Sequence, residues 1–403
     1  MNVCYVAPDV AIPYYRGSST HVYEISKNLA AMGHRVYVVS RRLRRSDSRW
    51  DFIDGFTIYR TYQGLVGEPP LTSFHSDHVD SGSRGLATRL YGFYLGSFRA
   101  FQLGAEIAAI MRGRKIEVVL ERETALGAGA ISSELMGVPL VLEVIGGRYS
   151  ELSLKRATSI MTYSRKMVTG KAAAGRLEVV STAVDTDLFS PDTIRGAETK
   201  RRYLSTGEPV VGYVGTFPRW HGVEVLLAAC KDQLQKGRRL KIFLVGPYFE
   251  AAKAEATRLG LDDDVIFTGP VPYKDVPNYI NACDVLCAPY YPAASSYRTK
   301  VGLGAPLKVM EYMACMKPVI STRSSPIPEI LEDQKEGLLV EPGSVGELSL
   351  ALATLLGNSA LADGYARAAR QRALQEFSWS QLAKRISKIL ANSAKQEGSK
   401  EAD

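Results

Sequence analysis

Residues 301–322 read VGLGAPLKVMEYMACMKPVIST. Gly302 and Gly304 make a flexible loop, and Pro306 suits the first position of a helix. Apolar residues then recur at helical spacing before the chain passes through Lys317 into the apolar run Pro318–Ser321. Loop, helix and buried strand in that order are one unit of a parallel α/β sheet. Lys308 falls in the first helical turn, beside exposed N–H groups, where a cation augments a diphosphate site. Glu311 follows three residues later on the same face and can accept two hydroxyl protons from a ribose. A lysine and a glutamate at this spacing are commonly a surface ion pair. Between a glycine loop and a strand they become a candidate nucleotide site.

The same plan extends outward in both directions. Apolar, β-rich runs occur at Asn2–Ala7, Arg35–Ser40, Glu117–Leu120, Pro139–Glu143 and Ser159–Tyr163. A second series occupies Pro209–Gly215, Lys241–Gly246, Val265–Thr268, Val285–Ala288, Pro318–Ser321 and Gly337–Val340. Short buried strands alternating with helical periodicity predict parallel sheets with βαβ crossovers. Two series predict an α/β protein of two Rossmann-like, doubly wound domains at 1–190 and 209–375, joined by a linker at 191–208. A final helix, Trp379–Leu390, lies within 376–392, and the polar residues 393–403 are expected to be a disordered tail.

In open parallel sheets ligands bind beyond the carboxyl ends of the strands. The loop of residues 214–222, VGTFPRWHG, places Gly215, Thr216, Arg219, Trp220 and His221 at such an end. A packed turn is the plain reading; anion binding by Arg219 or His221 is the functional one. Gly246 and Val271, at and just beyond the ends of the next two strands, complete this candidate donor set. In residues 8–24, PDVAIPYYRGSSTHVYE, Gly17 permits close approach, Ser18–Thr20 can cap a helix, and His21 is expected to face a ligand.

Of the 403 residues 46% are hydrophobic and 23% charged, the balance of an ordinary globular protein, and the length favours two domains. The opening residues read as a strand without a basic leader, so a cytoplasmic chain is expected. Leu86–Met111 carries Arg89, Arg99 and Glu106, too many charges for a membrane span. Its aromatics Tyr91, Phe93, Tyr94, Phe98 and Phe101 are read mainly as core, with a lipid acceptor as the alternative. The formal net charge of +8 is concentrated partly in Arg41–Arg45, a solvated face or a contact for anionic headgroups at the inner membrane surface. No nucleic-acid motif accompanies it. The cysteines, mostly within apolar runs, read as buried free thiols. His75 and His78 with Asp77 and Asp80, and the Cys283–Cys287 pair, are weak metal candidates beside loop and core readings.

Taken together, these segments resemble the retaining glycosyltransferase family 4 of the GT-B fold, along nearly the whole chain. The resemblance rests on the Gly17–His21 loop and Met32-Gly33-His34-Arg35-Val36. It rests further on AVDTDLFSP from Ala183, GPVPYKDVPNYINACDVLCAPY from Gly269, PLKVMEYMACMKPVIST from Pro306, and the terminal FSW with its helix. It implies two domains facing a cleft, a nucleotide-sugar donor held mainly by the second, and an acceptor placed by the first. It also implies retention of anomeric configuration and no obligatory metal, because helix dipole and cations neutralise the leaving diphosphate. UDP-sugars come first as donors and GDP-sugars second; a lipid-linked, polysaccharide or small-molecule acceptor is implied. His21, Lys308 and Glu311 would be the catalytic set, with Gly302, Leu303, Gly304, Ala305, Pro306 and Leu307 lining the donor. Arg16, Glu121 and Arg122 would stand on the acceptor side.

The chain departs from the family pattern at four places. Leu303 stands for the first glutamate of the E-x7-E pair, and Thr216 and His221 stand for the diphosphate-binding arginine and lysine. Ser181-Thr182-Ala183 replaces P-N-G, and Glu121-Arg122 occupies the strand end where many members have histidine. Two other classes remain in view: an epimerase or hydrolase of the same architecture, and a subunit without catalysis.

Overall fold

A computed structural model of the chain describes residues 1–12, 17–43, 46–61, 86–146, 149–168, 175–204, 207–247, 249–291 and 306–400. The chain divides into two compact units. One comprises Met1–Thr162, Thr169–Glu178 and Ala383–Asp403; the other comprises Tyr163–Val168 and Val179–Leu382.

The first unit holds eight described strands: β1 (Asn2–Ala11), β2 (Arg35–Arg41), β3 (Trp50–Ile53), β4 (Phe56–Thr61), β5 (Val118–Arg122), β6 (Leu140–Val144), β7 (Ser159–Thr162) and β8 (Leu177–Val179). Their order is β3-β4-β2-β1-β5-β6-β7-β8. Pairing is parallel from β4 to β7, while β3 runs antiparallel to β4. Three of these strands go beyond the sequence reading. The β3–β4 hairpin did carry a signal: Asp54 and Gly55 both have positive φ, the backbone a two-residue Asp-Gly hairpin turn requires.

The second unit is a six-stranded sheet in the order β11-β10-β9-β12-β13-β14. The strands are β9 (Val210–Val214), β10 (Lys241–Val245), β11 (Val265–Gly269), β12 (Val285–Ala288), β13 (Val319–Thr322) and β14 (Leu338–Val340), and every pairing is parallel. Both faces are covered, which is why the strands are apolar without alternation. Val210, Val214, Phe243 and Leu286 point into one core; Val211, Tyr213, Leu244 and Ile320 point into the other. In each unit the strand order reverses beside the first strand, the switch point where such sheets bind ligands.

Two boundaries of the sequence reading need correction. The expected linker 191–208 holds a helix, Thr193–Tyr203, capped by Asp192, whose side chain accepts from Arg195 N. A Cβ on its Gly196 would lie 2.5 Å from the Asn281 carbonyl, so this helix is packed within the second unit. The expected tail is also helical, because the last helix runs Trp379–Lys400. Leu382, Ile386, Leu390 and Ser393 recur on one buried face, and Ser387 and Ser393 hydrogen-bond His34 and Ser159. The repeat of buried positions continues past Leu390, where polar composition alone suggested an end.

Candidate functional site

In the second unit the chemistry gathers where β9 and β12 part. The segment from Leu307 to Ala314 is a helix, and its first turn carries Lys308. Pro306 is not its first residue but its cap, at φ −84° and ψ 61°. Lys308 Nζ donates to Tyr213 Oη at 2.7 Å and lies 4.3 Å from the Tyr213 ring centre and 5.2 Å from that of Tyr290. Ring faces are partially negative and hold an ammonium without neutralising it.

His221 closes this cluster. Its Nδ1 lies 2.6 Å from Tyr213 Oη, 2.8 Å from the Thr216 carbonyl and 3.1 Å from Lys308 Nζ. The Tyr213 hydroxyl donates to the same Thr216 carbonyl. Nδ1 either donates to Thr216 or accepts from Lys308, according to the tautomer. Burial pulls Lys308 down to about 7. Glu311 is pushed up to about 7, again by burial, with Tyr273 donating to it at 3.3 Å and Lys308 acting the other way. An ammonium held between rings and a buried imidazole gains from an incoming anion.

Glycines let the backbone converge here. Gly246 has φ 143°, and a Cβ on it would sit 2.0 Å from the Gly215 carbonyl oxygen. Gly222 has φ 69°, and a Cβ there would sit 1.9 Å from the Pro289 oxygen, next to the Tyr291 N–H that donates to Trp220 O. The ends of β9, β10 and β12 are thereby fixed around Lys308. Trp220 stacks on Tyr290 at 5.8 Å, with ring planes 17° apart.

Of the donor residues read from the sequence, Gly215, Thr216, His221, Lys308 and Gly246 are linked through this network, and Glu311 is one turn along the same helix. Thr216 contributes its carbonyl; its side chain is exposed. Arg219 is exposed and, among the described residues, its side chain makes no hydrogen bond or ion pair. Val271 packs partly against the core beyond β11. Gly302, Leu303, Gly304, Ala305 and Arg16 lie outside the described residues, as do His75 and His78. Tyr213, Tyr290 and Tyr273 were missed. Tyr213 stands inside an apolar strand and reads as core, whereas the strand-end position of Tyr290 was a usable signal.

The first unit is different at the corresponding place. His21, on the helix Gly17–Ala31, is 5% exposed, and its Nε2 lies 2.7 Å from Glu143 Oε1. Tyr5 donates to Glu143 Oε2 at 2.7 Å. Although burial raises Glu143, the charge and hydrogen bonds of His21 and the Tyr5 bond outweigh it and hold the carboxyl low. Nε2 of the expected ligand-facing His21 thus meets a buried carboxylate, which fixes the orientation of the ring. Glu121 accepts from Gly129 N at 2.8 Å and is pushed up to about 7 by burial. Arg122, at the end of β5, is half-buried beside it. The five cysteines are buried free thiols.

Residues 196–372 match the family model described as glycosyl transferases group 1. That match lies within the second unit and covers less than half of the chain. Among similar proteins is the GDP-mannose-dependent alpha-(1-6)-phosphatidylinositol monomannoside mannosyltransferase of Mycolicibacterium smegmatis, 27% identical over 58% of this chain and 61% of that protein. Another is the D-inositol 3-phosphate glycosyltransferase of Corynebacterium aurimucosum, 30% identical over 55% of this chain and 52% of that one. The chain thus spans about half to three fifths of the length of these relatives. Among solved structures, sucrose-phosphate synthase from Thermosynechococcus elongatus superposes with a TM-score of 0.72 at 18% identity, covering 97% of this chain and 98% of that one. Anabaena HepE in complex with UDP gives 0.70 at 19%, covering 97% and 100%. These likenesses establish the GT-B fold.

Proposed function

We propose that the chain is a glycosyltransferase that moves a sugar from a nucleoside-diphosphate sugar to a hydroxyl acceptor. The observation that carries the reading is Lys308, an ammonium in the first turn of a helix at a switch point, held over Tyr213 and Tyr290. A diphosphate there gains the cation and the helix N–H groups together. Glu311 then accepts from the ribose hydroxyls. The sugar–phosphate bond breaks as the acceptor oxygen bonds to the anomeric carbon, and the acceptor proton passes to a leaving phosphate oxygen. Attack on the same face retains configuration, and charge neutralisation by Lys308 and the helix makes a divalent ion dispensable.

The sequence reading puts UDP-sugars first and GDP-sugars second, and relatives named for GDP-mannose bring the second forward. Relatives named for a phosphatidylinositol monomannoside and for inositol 3-phosphate support a phosphorylated or lipid-linked acceptor, with Arg122 of the first unit as an acceptor-side cation. Incubation with UDP-glucose, UDP-galactose, UDP-N-acetylglucosamine and GDP-mannose, with phosphoinositol acceptors and a chelator present, tests it. Acceptor-dependent release of one nucleotide is expected. An epimerised sugar or free sugar formed at the same rate without acceptor overturns the transferase reading in favour of an epimerase or hydrolase. No consumption of any donor favours a subunit without catalysis.

A further inference from the structure

One flank of the first unit is unlike an ordinary solvated surface. β3 is the outermost strand of its sheet, and Trp50 and Phe52 leave its same face, 61% and 67% exposed. Edge strands are normally blunted by charge, and two large aromatics do the reverse. The strand is not loose. Arg60 binds Asp51, donates to Ser48 O at 3.1 Å, and bonds Ile12 O through Nε and Nη2 at 3.2 and 3.0 Å, so the aromatics stand on fixed backbone.

The helix Leu86–Met111 supplies the neighbouring part. Arg114, just past its end, lies over the Tyr37 and Tyr59 rings. Tyr59 pairs with Trp50 and Tyr37 with Thr57, so the helix end and the two exposed aromatics share one face of the sheet. Arg114 also donates to the Tyr59 hydroxyl of the hairpin, at 3.1 Å through Nε and through Nη2 as well, which ties the end of the helix to the hairpin. On the helix Phe98 and Phe101 are 53% and 56% exposed, and Arg49 and Arg99 are exposed as well. The flank is therefore aromatic, with Arg49, Arg99 and Glu106 interspersed. Amphipathic rings and arginines are the side chains that partition to the headgroup level of a bilayer. A bilayer of anionic lipid offers opposite charge to every arginine, whereas a second copy of the chain brings the same cations.

We propose that this flank docks the protein on anionic membrane, with Trp50, Phe52, Phe98 and Phe101 entering the headgroup region and Arg49 and Arg99 meeting lipid phosphates. Such docking does not depend on sugar transfer and is read without turnover. The test is co-sedimentation of the full chain with vesicles of phosphatidylcholine alone and of phosphatidylcholine with phosphatidylglycerol. The mixed vesicles should bind and the neutral ones bind at least tenfold more weakly. Trp50→Ser with Phe52→Ser should weaken binding by about tenfold or more, and Arg49→Glu with Arg99→Glu by a similar factor, steeper at low salt. Both double variants change exposed side chains, and an unchanged melting temperature checks that they fold. Equal binding to both vesicle types, or wild-type binding by both variants, overturns the proposal. So does sedimentation of the free protein as a dimer that the Trp50 and Phe52 changes dissolve, with no vesicle binding.

Discussion

The two units share one winding scheme, yet their switch points carry opposite electrostatics. In the second unit a cation on a helix's first turn is hemmed in by aromatic rings and a buried imidazole, with Glu311 one turn further along the helix. In the first, carboxylates are buried: Glu143 is fully matched by His21 and Tyr5, and Glu121 is held against the backbone at Gly129. A buried charge matched by an opposite charge costs stability when a partner is removed, whereas a buried cation held only by neutral groups gains from an anionic ligand. The comparison teaches that common topology supplies the place, and that the groups facing the buried charge there decide whether it serves the fold or the ligand.

The largest expected effect lies in the first unit. Glu143→Ala removes the buried carboxylate that His21 and Tyr5 share and should cost about 3–5 kcal/mol of stability. Chemical denaturation should show it, while nucleotide affinity of the folded protein stays within about threefold. A loss of affinity with unchanged stability would reverse the assignment of roles.

In the second unit Lys308→Ala should weaken nucleotide diphosphate binding by about 100-fold, roughly 3 kcal/mol. The melting temperature should hold or rise slightly, because a poorly solvated cation is removed. Pronounced destabilisation would make Lys308 a structural group.

The acid–base behaviour sharpens the contrast. Lys308 sits near 7 in the free protein, and a bound diphosphate raises it. Binding is therefore strongest below 7 on this account and falls as pH rises through the bound value, by up to about tenfold per unit. Glu311, also raised to about 7, gains a proton as pH falls and loses an acceptor for the ribose. Affinity measured from pH 5.5 to 9 should peak near neutrality, and Lys308→Met should remove the alkaline limb. A flat profile in the wild type contradicts the site.

The smallest effect concerns Glu121. Its carboxyl, raised to about 7 by burial, contributes stability that is present at low pH and is lost as pH rises through 7. Glu121→Gln should raise the melting temperature at pH 8 by about 2–4 °C and leave it nearly unchanged at pH 5. Equal shifts at both pH values would show that burial of charge is not the cause.

Much of this was legible in the sequence. The strands of the second sheet and the Lys308–Glu311 turn follow from glycine loops placed between apolar runs. The β3–β4 hairpin was overlooked although Asp54-Gly55 announces it. Tyr213 could not be recognised, because in a strand buried on both faces a tyrosine reads as core, and its hydroxyl meets Lys308 only through the helix at 307–314. The buried partner of His21 was equally hidden. Glu143 lies 122 residues away and becomes its partner only when β6 enters the sheet. The buried face of the last helix was legible as far as Leu390, and the polar residues between its later buried positions concealed the rest.

The most direct test of the central claim is calorimetric titration of the wild-type chain and Lys308→Ala with UDP and with GDP, in the presence of a chelator. Chelator-independent binding of one of the two nucleotides by the wild type, weakened about 100-fold in the variant, is the predicted result. Binding of equal strength to both proteins, or binding of neither nucleotide by the wild type, would contradict a diphosphate site built around Lys308.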